Sequence, residues 1–336
     1  MNKASGARSL GMAAGLALAA ALSTGCATAE PAGAAAAKAK PTGPDPAALA
    51  ILEDRAARYV HLRADIADIE AISMSSASNM RDAHNRLGSY DPKELGGSWV
   101  AYAALVAADT PGFAEAIEKR TKSKKGRAAF LQELRDNPAI VRDLDGADRA
   151  IDAIRAVAAR DATRINALGD RFIADAYRMQ NTSWAKAKIA KDGSTRLRAS
   201  QGYAAQRTWE PLTVATKQTT KAGTVRPNLG GDERWSAEWS PTSTPPSEAE
   251  KTGAMMTRAL VLAARYATGD IQTGHVDAFA KAKKSDRCFV NAKLNLDQCI
   301  AATRTPYEEA FCLGEHALND VSRCVGWVAN AGRVKD

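Results

Sequence analysis

The chain has 336 residues, 45% hydrophobic but only 6% aromatic, with a formal net charge of +8. Alanine carries much of that hydrophobic fraction, which favours closely packed helices over a sheet core. No G-x-S-x-G, P-loop, G-x-G-x-x-G or H-E-x-x-H pattern occurs, so the common hydrolase, nucleotide-binding and zinc-protease signatures are absent.

Lys3 and Arg8 precede a charge-free run of 13 residues, Leu10 to Leu22. That length suits the apolar core of a secretory signal and falls short of the roughly 20 residues of a spanning helix. Leu22-Ser23-Thr24-Gly25-Cys26 follows and resembles a lipobox, with Ser23 standing where leucine is usual. The resemblance implies cleavage before Cys26, acylation of Cys26 and membrane attachment through that lipid. Ala27 is not the aspartate that holds many Gram-negative lipoproteins in the inner membrane. By the same resemblance the expected home is the outer membrane, facing the periplasm. The alternative is cleavage at Ala27-Thr28-Ala29, which discards Cys26 and leaves a soluble periplasmic or secreted protein. Loss of Lys3 and Arg8 with the signal leaves about +6, a charge that attracts anionic envelope material. Nucleic acid is excluded as a partner because no binding motif is present and the chain leaves the cytoplasm.

Five segments are expected: a signal over 1–26, a flexible tether over 27–45, a helical bundle over 46–192, an irregular Pro/Thr/Gly-rich segment over 193–246, and a C-terminal helical region over 247–336. The tether lacks large apolar residues and cannot bury enough surface to fold. Asp45-Pro46 is a helix start, with Asp as cap and Pro in the first turn. Leu52, Tyr59, Ile66, Ser73, Met80 and Leu87 then recur every seven residues and predict one long helix to Leu87. Ser73, Ser75, Ser76 and Ser78 crowd its middle, where they suit a close crossing or a kink.

Asp91-Pro92 starts another helical piece, interrupted at Gly96-Gly97. Short helices are expected over 99–108, 111–122, 127–136 and 138–144. Ile151, Ala158, Ile165, Phe172 and Met179 predict a second long helix over about 147–188. The expected fold is therefore all-α: an elongated bundle built on two heptad-patterned helices, antiparallel, with a disulfide-stapled C-terminal hairpin. Coiled-coil self-association is an alternative use of the heptads.

From Lys191 to Pro246 periodicity is lost, apart from a candidate hairpin within 211–226. Trp209, Trp235 and Trp239 argue against a bare linker. They are candidate contacts for a partner or a glycan, set against packing onto the helices. Ser247 and Glu250 form a capping box for a helix that ends near Gly269.

Cys288, Cys299, Cys312 and Cys324 cluster in the last 50 residues, and in an exported chain they predict two disulfides. Arg287 to Thr303 reads as a helix, and Thr305-Pro306-Tyr307-Glu308 starts another. An antiparallel pair favours the nested bridges Cys299–Cys312 and Cys288–Cys324. One obstacle stands against this pairing: Cys312 and Cys324 lie about 120° apart on an ideal helix. A break at Gly314 or Asn319-Asp320 is needed to bring both round.

Lys119, Arg120, Lys122, Lys124, Lys125 and Arg127 form a basic cluster that could contact an anionic ligand, or simply a solvated loop. His61, Asp65 and Asp68 share a helix face, but no E-x-x-H accompanies them, and a solvated face is the better reading. No cofactor, metal or catalytic residue is assigned. The leading expectation is a non-enzymatic envelope lipoprotein that binds or scaffolds an envelope component, an envelope protein or an anionic glycan. The alternative is a periplasmic cell-wall glycan hydrolase using Glu308, Glu309 or Glu315 as paired carboxylates.

Overall fold

A computed structural model describes residues 44–239, 253–281 and 283–329. Cys26, most of the tether and the Ser247/Glu250 capping box lie outside them. The described residues are all-α apart from one two-stranded hairpin.

Asp45 caps helix α1 (Pro46–Ala71) by accepting from the Ala47 N–H at 3.0 Å. The helix does not run on to Leu87. Ile72 turns extended, and Ser76 caps a separate helix, α2 (Ala77–Gly88), accepting from the Asn79 N–H at 3.2 Å. Serine side chains compete for backbone hydrogen bonds, so the serine-rich middle serves as a terminus and a cap.

Helix α3 (Pro92–Asp109) is the centre of the molecule: every residue from Leu95 to Ala108 is buried. The expected interruption at Gly96-Gly97 is absent. A helix enclosed on all sides gains enough from packing to outweigh the roughly 1 kcal/mol that each glycine costs. Helices α4 (Pro111–Thr121) and α5 (Lys124–Asp136) follow, then a 3₁₀ turn, Pro138–Arg142. Helix α6 (Ala147–Met179) has 33 residues and stops before the expected limit. Thr182 caps its end by donating from its hydroxyl to the Met179 carbonyl at 2.8 Å. A single turn, α7 (Ser183–Lys186), leads to an extended stretch and then to α8 (Gly193–Gln206).

Helix α8 corrects the expectation of irregular chain from residue 193. Asp192 caps it, accepting from Thr195 N–H at 2.7 Å. The candidate hairpin is present: β1 (Lys217–Thr219) pairs antiparallel with β2 (Val225–Pro227). Helix α9 (Ala254–Thr268) ends on Gly269, whose φ of 70° only glycine adopts cheaply. Helix α10 (Thr273–Ala280) follows.

Helices α1 and α6 lie chiefly against other elements rather than against each other. α1 packs on α3, which also receives α9 and α11, and α6 packs on the C-terminal helices. Those are α12 (Pro306–Cys312) and α13 (Asp320–Ala329), with a π-helical segment, Leu313–Asn319, between them; α11 (Lys283–Ala302) precedes them in the chain.

Both nested bridges form, Cys299–Cys312 and Cys288–Cys324, each with Cα atoms 5.6 Å apart. The π segment resolves the phase problem between Cys312 and Cys324. Each π-bulge adds one residue to the helical path and sets the following residues back by about 100°. Twelve residues then turn like eleven, matching the eleven-residue step from Cys288 to Cys299 on α11. Disulfides persist in oxidising compartments, so the folded chain belongs to an exported environment. No helix among the described residues is long and apolar enough to cross a membrane.

Candidate functional site

Three helices bring a buried polar cluster together at the edge of the α11–α12 hairpin. Glu309 lies in the first turns of α12, His84 on the apolar face of α2, and Arg196 near the start of α8. All three are nearly sealed from solvent, at 5%, 3% and 9% exposure. His84 Nδ1 lies 2.7 Å from Glu309 Oε1, and Arg196 donates to Glu309 Oε2 at 2.8 Å. The other Arg196 amino group donates to the Thr303 carbonyl at 2.6 Å and hydroxyl at 2.8 Å. Arg196 thus ties the end of α11 to the start of α12.

Burial pushes the Glu309 carboxyl upward, but hydrogen bonding and charge from His84 and Arg196 outweigh it and hold it below the ordinary glutamate value. An ionised carboxylate only accepts, so His84 Nδ1 carries the shared hydrogen. Arg196 Nε is buried and has no hydrogen-bond partner among the described residues.

The cluster forms one side of a cavity of about 430 Å³. Met80, Trp184, Ile189 and Pro306 line it with apolar surface; Arg81, Lys188, Lys191 and Arg196 supply cations. Arg81, Lys188 and Lys191 are exposed at its rim, and Trp184 is half-buried. The wall from Ala187 to Ala190 is non-helical and is pinned by Ile189 N–H donating to the Arg304 carbonyl at 2.8 Å. Among the described residues Glu309 is the one carboxylate lining this cavity, and both its oxygens are engaged.

The three glutamates singled out from the sequence do not converge. Glu308 accepts from the Arg304 and Thr305 N–H groups at 2.6 and 2.9 Å, completing a capping box, and borders a different hollow. Glu315 lies 3.4 Å from the Arg323 guanidinium, on neither cavity wall.

Within the basic cluster, Lys119, Lys122, Lys124 and Lys125 are exposed. Arg120 pairs with Glu133 and lies over Phe130, and Arg127 donates to the carbonyls of Thr268, Ala222 and Gly223. None of the six reaches the cleft.

The tryptophans separate in the same way. Trp235 is fully buried and stacks on Tyr102. Trp239 packs between Arg63 and Arg164, and Trp209 between Arg58 and Arg207. Trp209 also borders a second hollow, of about 320 Å³, beside Tyr90 and Lys293.

His61 contacts the Glu210 carbonyl at 2.9 Å, Asp65 is held by Arg207 and Tyr90, and Asp68 by Arg86. Asp65 is buried and ion-paired rather than solvated. No group of three or more metal-binding side chains occurs among the described residues.

Sequence reasoning missed His84 and Arg196. The available signal was His84 itself, a polar residue beside Met80, Ala83 and Leu87 on a helix's apolar stripe. Arg196 gave none, because it sits in a stretch read as irregular. Compared with protein-family models, curated proteins and solved structures, the chain has no match.

Proposed function

We propose that the chain is a non-enzymatic, lipid-tethered binding protein of the bacterial cell envelope, and that the cleft beside Glu309 holds its ligand. The observation that carries this reading is the cleft's lining: apolar surface ringed by cations, with its carboxylate already paired with Arg196 and hydrogen-bonded to His84. Such a site attracts a small anion and, among the described residues, offers no second carboxylate for paired acid–base hydrolysis. Residues 1–26 supply the address, the lipid on Cys26 the tether, and the two disulfides suit the periplasmic side of an envelope.

The test has two parts. Intact mass of the chain made with its own signal reports acyl groups on an N-terminal Cys26; a mature chain beginning after Ala29 overturns the tether. Native mass spectrometry of the chain released in mild detergent reports the ligand. A bound small molecule that Trp184→Ala loses supports the reading, and a ligand-free chain contradicts it.

One observation favours a second reading, glycan hydrolysis. Glu309 orients the ring of His84, as a carboxylate orients a general base, and both residues line the cleft. Release of reducing ends from purified cell wall, abolished by His84→Ala, would establish it. Unchanged cell wall would dismiss it.

A further inference from the structure

We infer that the ligand of the Glu309 cleft is an acidic sugar unit, a uronate or a sugar phosphate. This rests on the cleft being the binding site. Its volume of about 430 Å³ lies in the range of small-molecule sites.

Two features define the chemistry. The first is charge. Lys188, Lys191 and Arg81 stand at the rim, while the carboxylate below them is cancelled by its own partners. The net field therefore favours an anion, and charge-assisted hydrogen bonds from ammonium and guanidinium groups are its strongest contacts.

The second feature is the mixture of flat apolar and hydrogen-bonding surface. Trp184, half-buried, lines the wall, and Met80 and Pro306 extend the apolar area. Between them stand the His84 ring and the Asn85 amide, which both donates and accepts. A pyranose ring has this same duality: one C–H face that packs on an aromatic ring and a rim of hydroxyls that seek partners. A simple fatty or aromatic acid would leave His84 and Asn85 unused.

The experiment is calorimetric titration of the full mature chain with glucuronate, glucose 6-phosphate, glucose, hexanoate and a short oligogalacturonide. Glucuronate or glucose 6-phosphate should bind at least tenfold more tightly than glucose or hexanoate, and binding should weaken as salt is raised. Trp184→Ala and the pair Lys188→Ala/Lys191→Ala should each weaken it tenfold or more. The pair Lys122→Ala/Lys124→Ala, in the exposed basic cluster, should leave it unchanged. Near-UV circular dichroism of each variant checks folding. Tighter binding of the oligogalacturonide than of glucuronate would assign the site to a glycan chain, and equal binding to a free sugar; either supports the inference.

Glucose binding as tightly as both glucuronate and glucose 6-phosphate overturns it, as does a loss caused by the Lys122/Lys124 variant but not by the cleft variants. If no acidic sugar binds while the natively purified chain still carries a Trp184-dependent ligand, the ligand class fails and the binding reading stands. If the chain carries none, both fail.

Discussion

The Glu309 carboxylate on α12 accepts a 2.7 Å hydrogen bond from Nδ1 of His84 on α2, joining residues 225 positions apart in the chain. With Arg196 on the other oxygen, this one side chain fixes three helices around the cleft. The geometry of the cleft wall and the packing of the C-terminal hairpin onto α2 and α8 therefore share a single anchor.

Glu309→Gln should cost about 3 kcal/mol at neutral pH, since it leaves Arg196 buried without its counter-charge. The pH dependence gives a sharper check. Glu309 titrates lower in the folded chain than in the unfolded one, so the unfolded state takes up the proton first. Its stabilisation is complete above the ordinary glutamate value and is lost as pH falls through the folded value. Urea unfolding of parent and variant, followed from pH 7 to pH 3, should show the gap closing on the acid side. A gap independent of pH would contradict the ionised assignment.

A second buried pair secures the tryptophan segment. Arg63, 1% exposed, lies 3.6 Å from Asp161 and donates to the Ser236 carbonyl at 2.6 Å, while Tyr102 donates to the Trp235 carbonyl at 2.9 Å. Tyr59 donates to Asp161 at 2.7 Å. Arg63→Met should destabilise the chain by about 3 kcal/mol, because Asp161 is then buried unpaired. The double variant Arg63→Met/Asp161→Asn should recover part of that loss. Urea midpoints of the two variants decide it, and a double variant no more stable than the single one would show that the pair is not coupled.

Local signals carried much of this fold. Asp45-Pro46, Asp91-Pro92 and Thr305-Pro306 each mark a helix start, since a cap and a first-turn proline act within four residues. The disulfide register was legible because an antiparallel hairpin imposes it. The ends of the long helices were not. A heptad pattern runs unbroken through Ser73 and Ser76, and only the competition between serine caps and helix continuation ends α1 there. The π segment was legible only as a phase conflict between Cys312 and Cys324. The site was the least legible part, because His84, Arg196 and Glu309 come from elements that only tertiary packing brings together. No spacing along the chain encodes that meeting.

The π segment meets α6 backbone to backbone at two glycines. A Cβ on Gly169 would fall 2.1 Å from Asn319 Oδ1 and 2.9 Å from the Gly314 carbonyl; one on Gly314 would fall 2.8 Å from the Gly169 carbonyl. Each approach is closer than carbon and oxygen tolerate, and a carbonyl in a helix cannot swing aside. Gly169→Ala and Gly314→Ala should each destabilise by about 1–3 kcal/mol through overpacking. Gly202→Ala, where a Cβ meets nothing within 4 Å, is the matched control and should be neutral or slightly stabilising. Thermal unfolding of the three variants makes the comparison, and equal midpoints would refute the close approach.

The two disulfides should differ in what they protect. On the chain-entropy model, Cys288–Cys324, which spans 36 residues, contributes about 4 kcal/mol, and Cys299–Cys312, which spans 13, about 3 kcal/mol. Stability alone therefore ranks the longer bridge first. The cleft depends on the shorter one. Thr303 lies four residues after Cys299 and Glu309 three before Cys312, so this bridge holds Arg196's two sets of acceptors in place. The same turn carries Arg304, whose carbonyl pins the Ile189 wall. In hydrogen exchange under native conditions, Cys299→Ser/Cys312→Ser should raise exchange over 187–192 and 303–312. Cys288→Ser/Cys324→Ser should lower the urea midpoint further yet leave those segments protected. If both double variants expose the wall equally, the shorter bridge has no special hold on the cleft.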